Sequence, residues 1–169
     1  RGSSCLKCNR KFVESHDLIA ITNKFIYKGY EQYVSDKADI QFRNGTTEPF
    51  TKNEINQLGL KKIVYTHKNN NNNSVTNYYN NIKIVKPNPP LKIEMAKKYK
   101  FDQSSGIVAI YYILKEYDVT ELSLVGYDFY EKGLPPYYFK PKDADEKLKY
   151  LWKTTYKNNE VKSNDWHDA

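Results

Sequence analysis

The sequence predicts an α/β fold: a mainly parallel sheet with helices on both faces, plus a small C-terminal lid. Three observations predict it. Short apolar runs alternate with capped or amphipathic stretches through about residue 125. The runs are rich in Ile and Val and carry few polar breaks, as strands buried on both faces do. After Tyr130 the character changes: Pro135, Pro136 and Pro141 stand among aromatic clusters with no clean strand pattern. At 169 residues the chain is long enough for one core and a small appendage.

The elements follow in order. "DLIAIT" (17–22) reads as a buried strand ending at Asn23. "FIYKGYEQYV" (25–34) places apolar and aromatic residues on a helical face, with Gly29 as its weak point. "ADIQF" (38–42) reads as the second strand and "RNGTTEP" as a loop. Thr51 with Glu54 three residues later forms a capping box, and Gly59 closes that helix. "KIVYTH" (62–67) and "IKIV" (82–85) read as strands, with a low-complexity Asn-rich loop between them. "PNPPLKIEMAKKYK" has a Pro-rich entry to a helix. For Ile107 to Leu114 periodicity fits a buried helix or a buried strand. The Ser104-Ser105-Gly106 start and the polar "KEYD" finish favour a helix, and "ELSLV" (121–125) reads as the next strand. A lid is expected over 129–169, with a helical piece around 143–157 and the α/β domain over 1–128. The abrupt start and end are expected to be cuts in a longer chain, with a first strand upstream of residue 1.

Composition narrows the function less than the fold. The net charge of +7 would suit an anionic partner, but the lysines are scattered, as on solvated faces. The 16 tyrosines each bury a ring and keep a hydroxyl at the edge, which enlarges the core beyond the 39% hydrophobic share. Cys5 and Cys8 form a Cys-x-x-Cys with no second pair to complete a zinc site, so they read as two ordinary thiols in a reducing compartment. No metal is expected. His16 and His67 flank strands and read as surface residues. Asn44-Gly45-Thr46 and Asn72-Asn73-Ser74 match the glycosylation sequon, which carries weight only for a secreted chain. No run has the length and hydropathy of a membrane span or the form of a secretory leader. A cytoplasmic location is expected, with peripheral membrane association also open.

In a parallel sheet, ligands bind beyond the carboxyl ends of the strands and at helix N-termini. Asn23, Asn44, Ser105-Gly106, and Asp128 with Tyr130 all fall at such places. Each is by itself more often a turn or cap residue. Their shared position is the more informative fact.

"SSGIVAIYYILKEYDVTELSLVGYDFY" resembles the Thr-Ser-Gly helix and Gly-x-Asp-Phe-Tyr strand end of bacterial sialyltransferases of glycosyltransferase family 42, and more loosely family 29. "GSSCLK" resembles the end of their nucleotide loop, "LIAITN" and "ADIQFRNG" their Asn-ended strands, "YYF" (137–139) the lid Tyr segment, and "WHDA" the start of the His motif. The resemblance implies a single Rossmann-like domain of the GT-A-variant kind. It implies inverting, single-displacement transfer of a sugar from CMP-sialic acid or a related CMP donor to a hydroxyl of a glycan acceptor. Gly2, Ser3, Ser4, Asn23 and Asn44 would line the donor, Ser105 would meet the sugar carboxylate, Gly106 would allow close approach, and Asp128 would fix the nucleotide. Tyr130 and Tyr137 (Tyr138 in the second alignment) would bond the leaving phosphate, and His167 would be the base. No cofactor or metal is implied, because tyrosine hydroxyls stand in for the ion. Arg1, Cys5 and Asp102 depart from the family pattern, and a carboxylate at 102 would repel an anionic donor. Two other readings stand beside this one: a basic nucleic-acid-binding module and a catalytically inactive glycosyltransferase relative. The Tyr-rich block lies in the expected lid, away from strand faces, so nucleic acid is not the expected partner.

Overall fold

The computed structural model describes residues 10–44, 49–67, 81–87, 89–100 and 103–125. They fall into two compact units: one holds residues 16–25 and 36–120, the other 10–15, 26–35 and 121–125. The expected boundary at 128/129 and the expected lid lie outside the described residues.

The larger unit is a four-stranded parallel sheet with helices. Its strands are β1 (Ala20–Thr22), β2 (Ile40–Arg43), β3 (Lys62–Tyr65) and β4 (Lys83–Val85), ordered β1-β2-β3-β4. Register runs Ala20 with Ile40, Ile40 with Lys62, and Lys62 with Lys83. All four residues of β2 are buried, so both faces of the sheet are covered at that strand. β1 differs from the expected buried strand: among the described residues it has one neighbour, and its three residues are only half-buried. Asp39 ties the amino ends together. Its carboxylate accepts from the Ile19 amide at 3.0 Å and from Lys61 Nζ at 2.7 Å, while its carbonyl accepts from the amides of Lys61 and Lys62.

Between β2 and β3 lies α3 (Lys52–Leu58), with both halves of its capping box formed and Gly59 left-handed at φ 70°. The other helices of this unit are α4 (Leu91–Tyr99) and α5 (Ser105–Glu116). Residues 107–114 are therefore helical, as their polar borders favour. Ser104 is the cap, accepting from the Ile107 amide, and Ser105 is the first helical residue. Val108, Ala109, Tyr112 and Ile113 are buried at helical spacing. Glu94 joins the last two helices, accepting from the Tyr111 hydroxyl at 2.7 Å and from Lys115 Nζ at 2.9 Å.

In the smaller unit are α1 (Arg10–Glu14) and α2 (Glu31–Val34), linked where the Ser35 hydroxyl donates to Glu14 Oε1 at 2.6 Å. Helix α1 has no counterpart in the sequence reading. The helix expected over 25–34 is confined to its last turn, because Gly29 takes φ 81° and bends the chain at Lys28–Gly29. Residues 121–125 form no strand, and Leu124 is 39% exposed. Their apolar alternation favours a strand, but a strand also needs a ladder to join.

Two measurements check these assignments. Nothing lies within 4 Å of a Cβ built on Gly59, so the cost there is backbone alone. Gly59→Ala should lose about 1 kcal/mol in urea unfolding, and Gly59→Asn should lose less, because Asn tolerates the left-handed region. Lys115 first, and then Tyr111, hold the Glu94 carboxyl below its ordinary value. Its stabilisation is present above the unfolded carboxylate value and is lost as pH falls through the depressed folded one. Glu94→Gln should therefore flatten the acid limb of a Tm-against-pH curve.

Candidate functional site

The parallel sheet brings the carboxyl ends of all four strands to one edge. Asn23 follows β1, Asn44 follows β2, Thr66 and His67 follow β3, and Lys86 follows β4. Asn23 is left-handed at φ 57°, a conformation that Asn tolerates better than most residues. β2 and the residue after it hold it there. The Asn23 amide donates to the Phe42 carbonyl at 2.6 Å, and its carbonyl accepts from Gln41 Nε2 at 2.8 Å. Its side-chain Oδ1 accepts from the Asn44 amide at 3.1 Å. The two sequence-predicted asparagines are thus joined directly.

Two contacts give the direction of α5. Lys62, which opens β3, donates through Nζ to the Tyr117 hydroxyl just past the end of α5. Tyr112 packs edge-on against Phe42 at 5.4 Å, and Phe42 lies level with Val64, two residues further along the strands. The helix therefore runs antiparallel to the strands. Ser105 lies seven residues before Tyr112, roughly 10 Å along the axis. Asn44 lies only about 7 Å beyond Phe42 along the strand direction. The first turn of α5, with Ser105 and Gly106, accordingly lies on the carboxyl side of Phe42. Ser105 is not the cap, and its hydroxyl makes no hydrogen bond among the described residues. Gln103, two residues earlier, is 5% exposed.

The edge also carries groups that the sequence reading did not assign. Gln41 is fully buried, as is Thr66. The Thr66 amide and hydroxyl both donate to the Arg43 carbonyl, at 2.8 and 3.2 Å. The same hydroxyl lies 2.7 Å from His67 Nδ1. His67 is therefore half-buried and tied to the end of β3, where a surface residue was expected. Arg43 and Lys86 each face the Tyr65 ring, at 5.9 and 5.8 Å, making a cation–aromatic–cation row across three strand ends. The one available signal was two polar residues at alternate positions of an apolar strand, Gln41 and Arg43 in "ADIQFRN".

Asn23 and Asn44 are the predicted site residues that lie at this edge, and Ser105 and Gly106 open α5. Gly2, Ser3, Ser4, Asp128, Tyr130, Tyr137 and His167 lie outside the described residues, as do Cys5, Cys8 and Asp102. Among the described residues no group of three or more His, Cys, Asp or Glu could hold a metal ion. No helix among them is long and apolar enough to cross a membrane.

Comparison of the chain with protein-family models, curated proteins and solved structures finds no match.

The Asn23 turn can be tested directly. Asn23→Gly and Asn23→Ala both remove the acceptor for the Asn44 amide, but only Gly adopts a positive φ freely. Asn23→Ala should be less stable than Asn23→Gly by about 1 kcal/mol in chemical denaturation.

Proposed function

We propose that the carboxyl edge of this sheet binds a CMP-activated sugar, and that the chain is a sialyltransferase-like glycosyltransferase. One observation carries the reading furthest: Asn23 and Asn44, from neighbouring strand ends, are hydrogen-bonded to each other. Polar strand ends beside a helix N-terminus are where parallel sheets take nucleotides and phosphorylated ligands. The resemblance of 104–130 to the family 42 motifs supplies the choice of donor. In this reading Asn23 and Asn44 contact the nucleotide and sugar together with Gly2, Ser3, Ser4 and Asp128. Ser105 and the backbone at Gly106 receive the sugar carboxylate.

The reaction is one displacement at the anomeric carbon. The acceptor hydroxyl loses its proton to His167 and its oxygen forms the new glycosidic bond. The bond from the anomeric carbon to the phosphate oxygen breaks with inversion, and CMP leaves with the electron pair. The transition state is oxocarbenium-like, so stabilising the leaving phosphate matters most. Tyr130 and Tyr137 donate to that phosphate, and no step calls for a metal. A protein that works on a glycan in this way would lie in the cytoplasm or against a membrane surface.

A thermal-shift comparison of CMP, UMP and a short oligonucleotide tests the reading. CMP at a hundred times its dissociation constant should stabilise the chain by about 2.7 kcal/mol, with UMP weaker. A melting temperature raised by the oligonucleotide and unmoved by CMP would sink the transferase reading in favour of nucleic-acid binding.

A further inference from the structure

We propose that Gln41 is a positioning residue: from inside β2 it holds Asn23 in the turn that the ligand site requires. The inference rests on the donor site proposed above, to which Asn23 belongs. Gln41 is 0% exposed and sits in the middle of a strand whose other residues are also buried. Its amide orientation is dictated by its partner, since the Asn23 carbonyl can only accept, and Nε2 lies 2.8 Å from it. That orientation leaves Gln41 Oε1 buried with no hydrogen bond among the described residues. A buried acceptor without a donor costs stability, and an apolar side chain of similar size would avoid the cost. The strand therefore carries a destabilising amide whose hydrogen bond falls on Asn23.

That bond does a specific job. Asn23 has four polar groups, and three are taken: its amide by Phe42, its carbonyl by Gln41, and its Oδ1 by the Asn44 amide. The fourth, the side-chain amide nitrogen, has no protein partner among the described residues. With the backbone at φ 57° and Oδ1 engaged, its direction is set by the other three. Gln41 thus fixes a two-proton donor at the carboxyl edge without touching the ligand itself, and such a donor suits a ribose or sugar oxygen.

The test is Gln41→Met, with Gln41→Leu as a second variant, in the full chain. Three quantities are read: hydrogen exchange of the Asn44 amide, CMP affinity by titration, and Tm. We expect Asn44 exchange to speed up and CMP affinity to fall about tenfold. Tm should stay within about 3 °C of wild type or rise, because the orphaned oxygen is gone. Adding Gln41→Met to Asn23→Ala should cause no further loss of affinity, because the effect passes through Asn23. Unchanged Asn44 exchange in both variants would overturn the proposal. So would a fall in Tm that accounts for the lost affinity, since Gln41 would then be only a structural residue. If the wild-type chain binds no CMP, the donor-site reading falls. Asn44 exchange in the same variants still decides whether Gln41 holds Asn23.

Discussion

The Phe42 carbonyl takes the Asn23 amide at 2.6 Å, and this bond carries the pairing of β1 with β2 one residue past Thr22. The arrangement beyond the strands follows from it. With the Asn23 amide held, its carbonyl meets Gln41 and its side chain meets Asn44. On the other side of β2, the Arg43 carbonyl holds Thr66, whose hydroxyl holds His67. The polar groups at the ends of β1 and β3 are thus both tied to β2. A change in the position of β2 would displace them together.

That strand can serve as the reference because it does not move easily. Phe42, Ile63, Val64 and Val108 are fully buried. Burying side chains of this size contributes about 1.5–3 kcal/mol each. Phe42 belongs to both systems: its ring packs on Tyr112 of α5 and its carbonyl anchors Asn23. The apolar core and the polar edge share one residue, so packing of α5 is coupled to the geometry of the turn. Glu94 holds α5 to α4, and the α4 backbone in turn starts from the end of β3, where the Lys92 amide donates to the Thr66 carbonyl at 3.0 Å.

What could be read from the sequence was whatever is local along the chain. The capping box of Thr51 and Glu54, the left-handed Gly59 and the Ser cap of α5 all lie within a few residues of their partners. The apolar runs that became β2, β3 and β4 announced themselves by composition. Positions of Asn23 and Asn44 at one edge followed from parallel topology alone. What stayed hidden depends on contacts between distant residues. A glutamine inside a strand carries no mark showing that its amide reaches residue 23. His67 resembled a surface residue because its partner is the hydroxyl of a buried neighbour. The run at 121–125 had a strand's alternation but no ladder, and residues 25–34 had a helix's periodicity interrupted by the turn at Gly29.

The strand order β1-β2-β3-β4 repeats the order of the chain, and this bears on how the sheet assembles. Each strand pairs with the one synthesised before it, so no pairing waits for a distant segment. Loop-closure entropy is met in separate steps, one for each strand added to its chain neighbour. Asp39 adds a registration mark to that process. Its carboxylate reaches back to Ile19 and its carbonyl reaches forward to Lys61 and Lys62. A slip of one residue would break the contacts on both sides and exchange the faces of Ile40 and Phe42 with those of Gln41 and Arg43. The sheet can therefore be laid down strand by strand, with each addition checked against the one before.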